Sequence, residues 1–331
     1  MKSAITNVSI SIVTILALLV LFEAYLWLRY EREYERLEAR YEGRELCSRP
    51  APDPVLIYEF IPDKCGFNSK GFADVEHAYI KPVGTYRILL VGDSVAEGNG
   101  VARDKRFSTV LASRLNATPN LPNIEIVTLA RGGYSTTQEL FLLRKMGFAY
   151  HPDLIIWSYV LNDPAHPIFH DANGEFGQYF YRPRWRGWHY VEKKLFEARE
   201  NSKHDVCGTE FHRVLHCAYR DEVAAHIRQL GEISRENAIP VMFIIHPVFE
   251  ENRNFANYSA TSIHEDLKQM AQSAGMQVVD LVGAFQGVAT EKLIQKHQPW
   301  FDPWHPNELG HQLIADYLFD ELQKLELVVL K

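Results

Sequence analysis

Five short, unbroken apolar runs, each parted from the next by a stretch of helical periodicity, restrict this chain more than any other feature. The runs are Arg87–Val91, Ile124–Leu129, Leu154–Tyr159, Val241–Ile245 and Gln277–Asp280. Helical patterns fall near Phe107–Leu115, Thr137–Met146, Glu222–Glu236 and Ser262–Ala274, and a last helix is predicted over Pro306–Leu325. A strand that faces water on one side alternates polar with apolar residues; one that is apolar throughout is covered on both faces. Strands of this kind separated by helices predict a parallel sheet between two helical layers. An open sheet so built binds its ligands beyond the carboxyl ends of its strands, near the point where strand order reverses. With 331 residues and 47% hydrophobic content, the chain has ample material for such a core.

The residues that follow the first three strands are of the types an acyl-transfer site needs. Gly92-Asp93-Ser94 follows the first, Gly132-Gly133 the second and Asn162-Asp163 the third, while Asp302-Pro303-Trp304-His305 precedes the last helix. A serine hydroxyl is a weak nucleophile at neutral pH and requires a base to take its proton. His305 is the candidate base. Asp302, two intervening residues away, can return in a tight turn to orient that imidazole and stabilise its charged form. The oxyanion formed on attack needs fixed donors. Candidates are the backbone N–H of Ser94, the backbone N–H of Gly133 and the side-chain amide of Asn162. Taken singly, Gly-Asp-Ser is an ordinary turn and Asp-Pro-x-His an ordinary loop. Four blocks in order, three of them at strand ends, favour a site. Ser94 does not sit in a Gly-x-Ser-x-Gly elbow, because position 96 is Ala, and the lipase-elbow fold is disfavoured.

On these four blocks the sequence resembles the SGNH (GDSL-type) hydrolase superfamily over roughly residues 85–320. The resemblance implies a flavodoxin-like three-layer α/β/α fold with a five-stranded parallel sheet. It implies an ester hydrolase with Ser94 as nucleophile, His305 as base, Asp302 as its partner, and Ser94, Gly133 and Asn162 as the oxyanion hole. Two positions depart from the pattern: Val160 stands where glycine often opens the third block, and Thr128 where asparagine is common in the second. Both bear on loop shape more than chemistry. Neither a metal nor an organic cofactor is implied. An O-acyltransferase would use the same residues, and an idle glycan- or partner-binding scaffold is the reading from another class.

Residues 164–220 interrupt the alternation and are too long for an ordinary loop. The segment carries Phe169, Phe176, Tyr179, Phe180, Tyr181, Arg182, Arg184, Trp185, Arg186, Trp188 and Tyr190. A cap whose rings, Trp185 and Trp188 among them, contact substrate is one reading; a satellite core is the other. His204, Cys207, His212, His216 and Cys217 also lie here, but their spacing matches no usual zinc site. His246, at the end of the fourth strand, either reaches the site or is an ordinary strand-end residue. For Asp93 and Asp163 a turn or helix-capping role is the default.

Ahead of the sheet, Val8–Leu28 is nearly all apolar with Glu23 its only charge, about long enough to cross a bilayer core. No Ala-x-Ala-like cleavage site follows, so an uncleaved membrane anchor is expected over residues 1–30 rather than a removed signal. Residues 31–84 are expected as stalk and linker and 85–331 as the hydrolase domain. Orientation draws opposed signals. Lys2 against Arg29, Arg32, Arg36, Arg40 and Arg44 puts the domain in the cytoplasm. The local cysteine pairs Cys47/Cys65 and Cys207/Cys217 read as disulfides in an oxidising compartment, although four cysteines permit three connectivities. The cysteines carry more weight here, since Glu and Arg alternate along the stalk, and an extracytoplasmic or periplasmic domain is expected. A net charge of -7 excludes the basic footprint of a nucleic-acid binder. The expected partners are therefore the membrane and an acyl ester, with an envelope glycan or lipid as its source.

Overall fold

The computed structural model describes residues 2–41, 47–164, 183–208, 210–251, 253–295 and 301–328. In chain order the elements are α1 (Lys2–Tyr41), β1 (Ser48–Pro50), β2 (Tyr58–Phe60), β3 (Thr85–Gly92), α2 (Ser94–Glu97), α3 (Phe107–Asn116), β4 (Asn123–Ala130), α4 (Thr136–Met146) and β5 (Leu154–Tyr159). There follow α5 (Arg186–Cys207), α6 (Phe211–Asn237), β6 (Val241–Ile245), α7 (Thr261–Ser273), β7 (Gln277–Asp280) and α8 (Glu308–Lys324). The five apolar runs are the five strands β3 to β7.

These strands form one sheet in the order β4-β3-β5-β6-β7, every pair parallel. Both faces are covered, as the unbroken apolar sequence requires: Ile88, Leu89, Leu154, Ile155, Phe243 and Ile244 are fully buried. The helices fall into two packed sets, α3 against α8 on one side and, on the other, α6 packed against both α4 and α7. The α/β fold with its five-stranded parallel sheet is thus the expected one. At the amino end of the sheet, buried Arg87 is fully used. It bonds Glu125 Oε2 at 2.6 Å and 2.9 Å and the Tyr150 carbonyl at 2.7 Å. A buried guanidinium is tolerable only when its donors are paired in this way.

Residues 47–84, expected as part of the stalk and linker, pack on the body rather than standing off from it. Leu56, Tyr58 and Phe72 join the main apolar core. Gln138 Nε2 donates to the Leu56 carbonyl and the Thr128 N–H to Asp74. Apolar residues spaced irregularly between prolines leave no periodic signal, so this docking is invisible to pattern reading. The two disulfides are those expected, Cys47–Cys65 around this segment and Cys207–Cys217 joining the end of α5 to the second turn of α6.

Helix α1 continues without a break from the apolar run into the Arg/Glu-rich stretch. Its Asn7–Ala39 portion is long and apolar enough to cross a membrane, and the window that qualifies is unburied. Glu23, the one charge in the run, is not idle. Its two carboxylate oxygens accept the N–H groups of Arg186 and Gly187 at 2.8 Å and 2.6 Å, which caps the amino end of α5. Arg186 then reaches Glu31 at 2.9 Å, and Phe22 meets Tyr190 edge-on. Of the long insertion, residues 165–182, with Phe169, Phe176, Tyr179, Phe180, Tyr181 and Arg182, lie outside the described residues.

The contact of α6 with α7 provides a test of packing. Gly231 lies in the middle of α6, where a methyl group would run into the Ala274 carbonyl oxygen and stand 2.9 Å from the Ala274 Cβ. Gly to Ala in an exposed helix interior stabilises by roughly 0.5–1 kcal/mol. Here overpacking against fixed backbone reverses the sign. Gly231→Ala should destabilise by about 1–3 kcal/mol. In a thermal melt of the full chain that is a fall of several degrees, and a raised melting temperature would refute the close contact.

Candidate active site

The site lies where β3, β4 and β5 end. Gly92, Ala130 and Ser158 sit side by side in register, so whatever follows them emerges at one edge. From β3 the chain turns at Asp93, whose Oδ1 accepts the Val95 N–H at 2.9 Å and caps α2. Ser94 is the first residue of that helix. Its Oγ stands 2.9 Å from His305 Nε2 and 3.2 Å from Asp93 Oδ2. Of the two acceptors for its proton, only the imidazole can later hand it to a leaving group.

His305 arrives from the far end of the chain on a turn shaped by Asp302. Asp302 Oδ1 accepts the N–H groups of Trp304 and His305 at 2.9 Å and 3.1 Å, and Oδ2 faces His305 Nδ1 at 2.9 Å. The two-residue spacing therefore does what the sequence argument asked of it. Asn307 caps α8 through the Gly310 N–H, and its own N–H donates to the Leu293 carbonyl. Gln295, buried between the two loops, donates to Asn99 O at 2.5 Å and Pro306 O at 3.3 Å. It ties the serine loop to the histidine loop.

The glycine pair after β4 is held with equal care. Gly133 has φ +79°, the left-handed region that favours glycine. The Gly132 N–H donates to Glu97 Oε2 at 2.7 Å, and the Gly132 carbonyl accepts the Tyr58 hydroxyl. Asn162, just past β5, is partly exposed, and its Oδ1 is buried with no hydrogen-bond partner among the described residues. Asp163 accepts the Val160 N–H at 2.7 Å and so holds that turn.

Other candidates lie elsewhere. His246 is buried, bonds Ser158 Oγ at 2.7 Å and is pushed down to about 3 by burial, which makes it a neutral strand-end residue. Trp185 and Trp188 are exposed at the start of α5 beside α1, and Trp188 Nε1 donates to Glu192 one turn on rather than to the triad. His216 pairs with Asp266 at 2.8 Å, His212 packs edge-on against Trp304, and Cys207 and Cys217 are bonded to each other. Among the described residues no group of His, Cys, Asp and Glu is placed to hold a metal ion. The side chain of His204 lies outside those described. Sequence reasoning missed Glu97, Gln295 and Tyr58. Glu97 stands three residues after Ser94, but nothing local marks it as a partner of Gly132.

Three carboxyl groups, Asp93, Glu139 and Asp163, are buried in and beneath the site, and a fourth, Glu97, is half-buried there. Burial pushes all of them up. Glu97 reaches about 7, against the pull of the Gly132 N–H and the charge of Arg106. For His305, burial works to lower its affinity for a proton, but the hydrogen bond and charge of Asp302, helped by Asp93 and Glu97, outweigh it. Its pKa is raised above the usual 6.5. For Asp302, burial opposes ionisation and the bond to His305 wins, so it stays ionised.

Catalysis by this arrangement needs neutral His305, so activity should rise with pH through a limb above pH 6.5, the ordinary histidine value. Asp302→Asn should lower kcat by roughly 10³–10⁴-fold and move the limb to lower pH. Because Glu97 titrates in the same range, Glu97→Gln is the control. The limb should persist in it; a pH–rate profile that goes flat would assign the limb to Glu97 instead.

Comparison with known proteins agrees with this geometry. The model of the GDSL-like lipase/acylhydrolase family matches residues 90–313. No curated protein matches the chain. Among solved structures, the chain is similar to LAE5, an alpha/beta hydrolase enzyme from the metagenome of Lake Arreo, Spain, at 16% identity. That match covers 75% of this chain and 98% of that one, with a TM-score of 0.48. TesA is similar at 13% identity, over 72% and 99% of the two chains, with a TM-score of 0.46. Axe2, an acetylxylan esterase from Geobacillus stearothermophilus, is similar at 17% identity over 72% and 94%, with a TM-score of 0.46.

Proposed function

This chain belongs to the GDSL-like lipase/acylhydrolase family, and we propose that it is a membrane-anchored, serine-dependent esterase acting outside the cytoplasm. Ser94 attacks the ester carbonyl while His305 takes its proton, and Asp302 stabilises the imidazolium. The tetrahedral oxyanion is held by the N–H groups of Ser94 and Gly133 and by the amide of Asn162. His305 returns the proton to the leaving alcohol. Water, activated by the same imidazole, then releases the acid from Ser94. The observation that carries this reading is the unbroken hydrogen-bonded relay from Asp302 through His305 to Ser94, with both links at 2.9 Å.

The compartment rests on two supports. The apolar helix and the two disulfides together suggest an extracytoplasmic domain. An anchored enzyme works on what lies near the bilayer, so the substrate class we propose is an acyl ester of an envelope glycan or lipid.

Nucleophile and base act as one unit, so their losses should not add. Ser94→Ala and His305→Ala should each abolish ester hydrolysis nearly completely, and the double variant should be little worse. A fluorophosphonate probe should label the wild type at Ser94. Folded wild-type protein that neither labels nor hydrolyses any of a panel of short- and long-chain esters would overturn the assignment.

A further inference from the structure

Tyr58 lies outside the stretch that the family model matches, yet it touches the heart of the site. Its hydroxyl donates to the carbonyl of Gly132. That carbonyl and the N–H of Gly133 belong to the same peptide unit. In a trans peptide the two point in opposite directions within one plane, so fixing the carbonyl fixes the line of the N–H. We propose that Tyr58 is a positioning residue for the oxyanion hole: its hydroxyl locks the Gly132–Gly133 peptide plane and so aims the Gly133 N–H at the reacting carbonyl. The inference rests on the reading of Gly133 as an oxyanion donor.

Several independent features fit the tyrosine to this task. Its oxygen occupies the space a side chain at position 133 would need, since a Cβ there would stand 2.7 Å from it. Tyr58 is itself buried at 3% exposure. Its carbonyl accepts the hydroxyl of Tyr134 at 2.7 Å, and that hydroxyl in turn accepts from Arg131 at 2.9 Å. Gln138 secures the neighbouring Leu56 carbonyl at 2.9 Å. Directly before it, Ile57 has φ +64°, a left-handed conformation that a β-branched residue adopts only under constraint. Backbone strain of this sort collects at functional sites, where the surroundings over-determine it. The Cys47–Cys65 disulfide closes the loop that carries both residues. On the other flank of the glycine pair, Glu97 holds the Gly132 N–H at 2.7 Å. A donor on the carbonyl also polarises the amide and strengthens its N–H as a donor.

Tyr58→Phe in the full chain removes the hydroxyl and keeps the ring. With a small ester such as p-nitrophenyl acetate, kcat should fall about 10–100-fold, less than the loss of a whole oxyanion donor. KM should stay within about twofold, because the donor acts on the transition state rather than on bound substrate. Labelling of Ser94 by a phosphonate, which also forms a charged oxygen, should slow in step. Replacing Tyr58 by 4-aminophenylalanine, which keeps a donor at the ring tip, should recover much of the rate. A kcat within twofold of wild type overturns the proposal, as does failure of the amino analogue to restore the rate in a protein that melts like wild type. Asn162→Ala, run beside it, separates the two levels. If that variant loses its rate while Tyr58→Phe does not, the oxyanion reading stands and the role of Tyr58 falls. If both keep full rate, the oxyanion reading falls and takes the proposal with it.

Discussion

Three of the four blocks of the proposed site depend on the parallel register of three strands. Gly92, Ala130 and Ser158 share one row of the sheet, and the next two to four residues of each strand leave it at the same edge. Parallel pairing makes this coincidence automatic, because the carboxyl ends of parallel strands lie together and the order reverses between the neighbours of β3. A nucleophile, a glycine loop and an asparagine, separated in sequence by tens of residues, are thereby brought to one place by backbone geometry alone. The fourth block has no strand to carry it. It is held by hydrogen bonds: Gln295 to the serine loop, the Asn307 N–H to Leu293, and the Phe249 N–H to the Pro303 carbonyl.

The site is set on an unusual density of buried acid. Asp93, Glu139 and Asp163 are withdrawn from water, and Glu97 is half-buried beside them. Such groups are tolerable only where hydrogen bonds replace hydration or the proton is kept. Each here has at least one structural donor: Val95 N–H, Gly132 N–H, Trp157 Nε1 and Val160 N–H respectively. Three of the four donors are backbone groups in the very turns that present Ser94, Gly133 and Asn162. The acids are thus better understood as braces for these loops than as participants in proton transfer. Asp302 is the exception. Against the opposing effect of burial, the hydrogen bond and charge of His305 hold its carboxyl below the usual range, where the other four are raised.

The strands and the four blocks were legible because they are local. Apolar runs report burial directly, which is why β5, β6 and β7 begin and end where the pattern does. The Asp302–His305 spacing likewise encodes its own turn. What could not be read is long-range and non-periodic. Helix α6 begins at Phe211, well before the periodic stretch from Glu222, because its first turns are held by tertiary contacts and the Cys207–Cys217 bond. Tyr58 reaches Gly132 across 74 positions and Gln295 reaches Asn99 across 196, and neither residue type announces such a partner. The aromatic insertion was ambiguous for a similar reason: Trp188 and Tyr190 read equally well as cap or core, and α5 instead lies against α1.

That last contact changes how the charge in the apolar run should be understood. A lone Glu in a membrane segment is costly and ordinarily faces protein or water. Glu23 meets the amino end of α5, where two unpaired N–H groups and the helix dipole supply the compensation that lipid cannot. Helix α1 is therefore keyed to the body near the end of its apolar stretch, with Arg186 adding a second bond to Glu31. A free tether would let the catalytic edge turn in any direction. A helix locked at Glu23 and Glu31 instead fixes α5, and α5 is stapled through Cys207–Cys217 to α6, whose first residues Phe211 and His212 pack on Trp304 of the catalytic turn. The chain of contacts runs from helix α1 to the turn that carries His305, so the direction in which the proposed site faces relative to α1 is set by hydrogen bonds, a disulfide and ring packing rather than by a flexible linker.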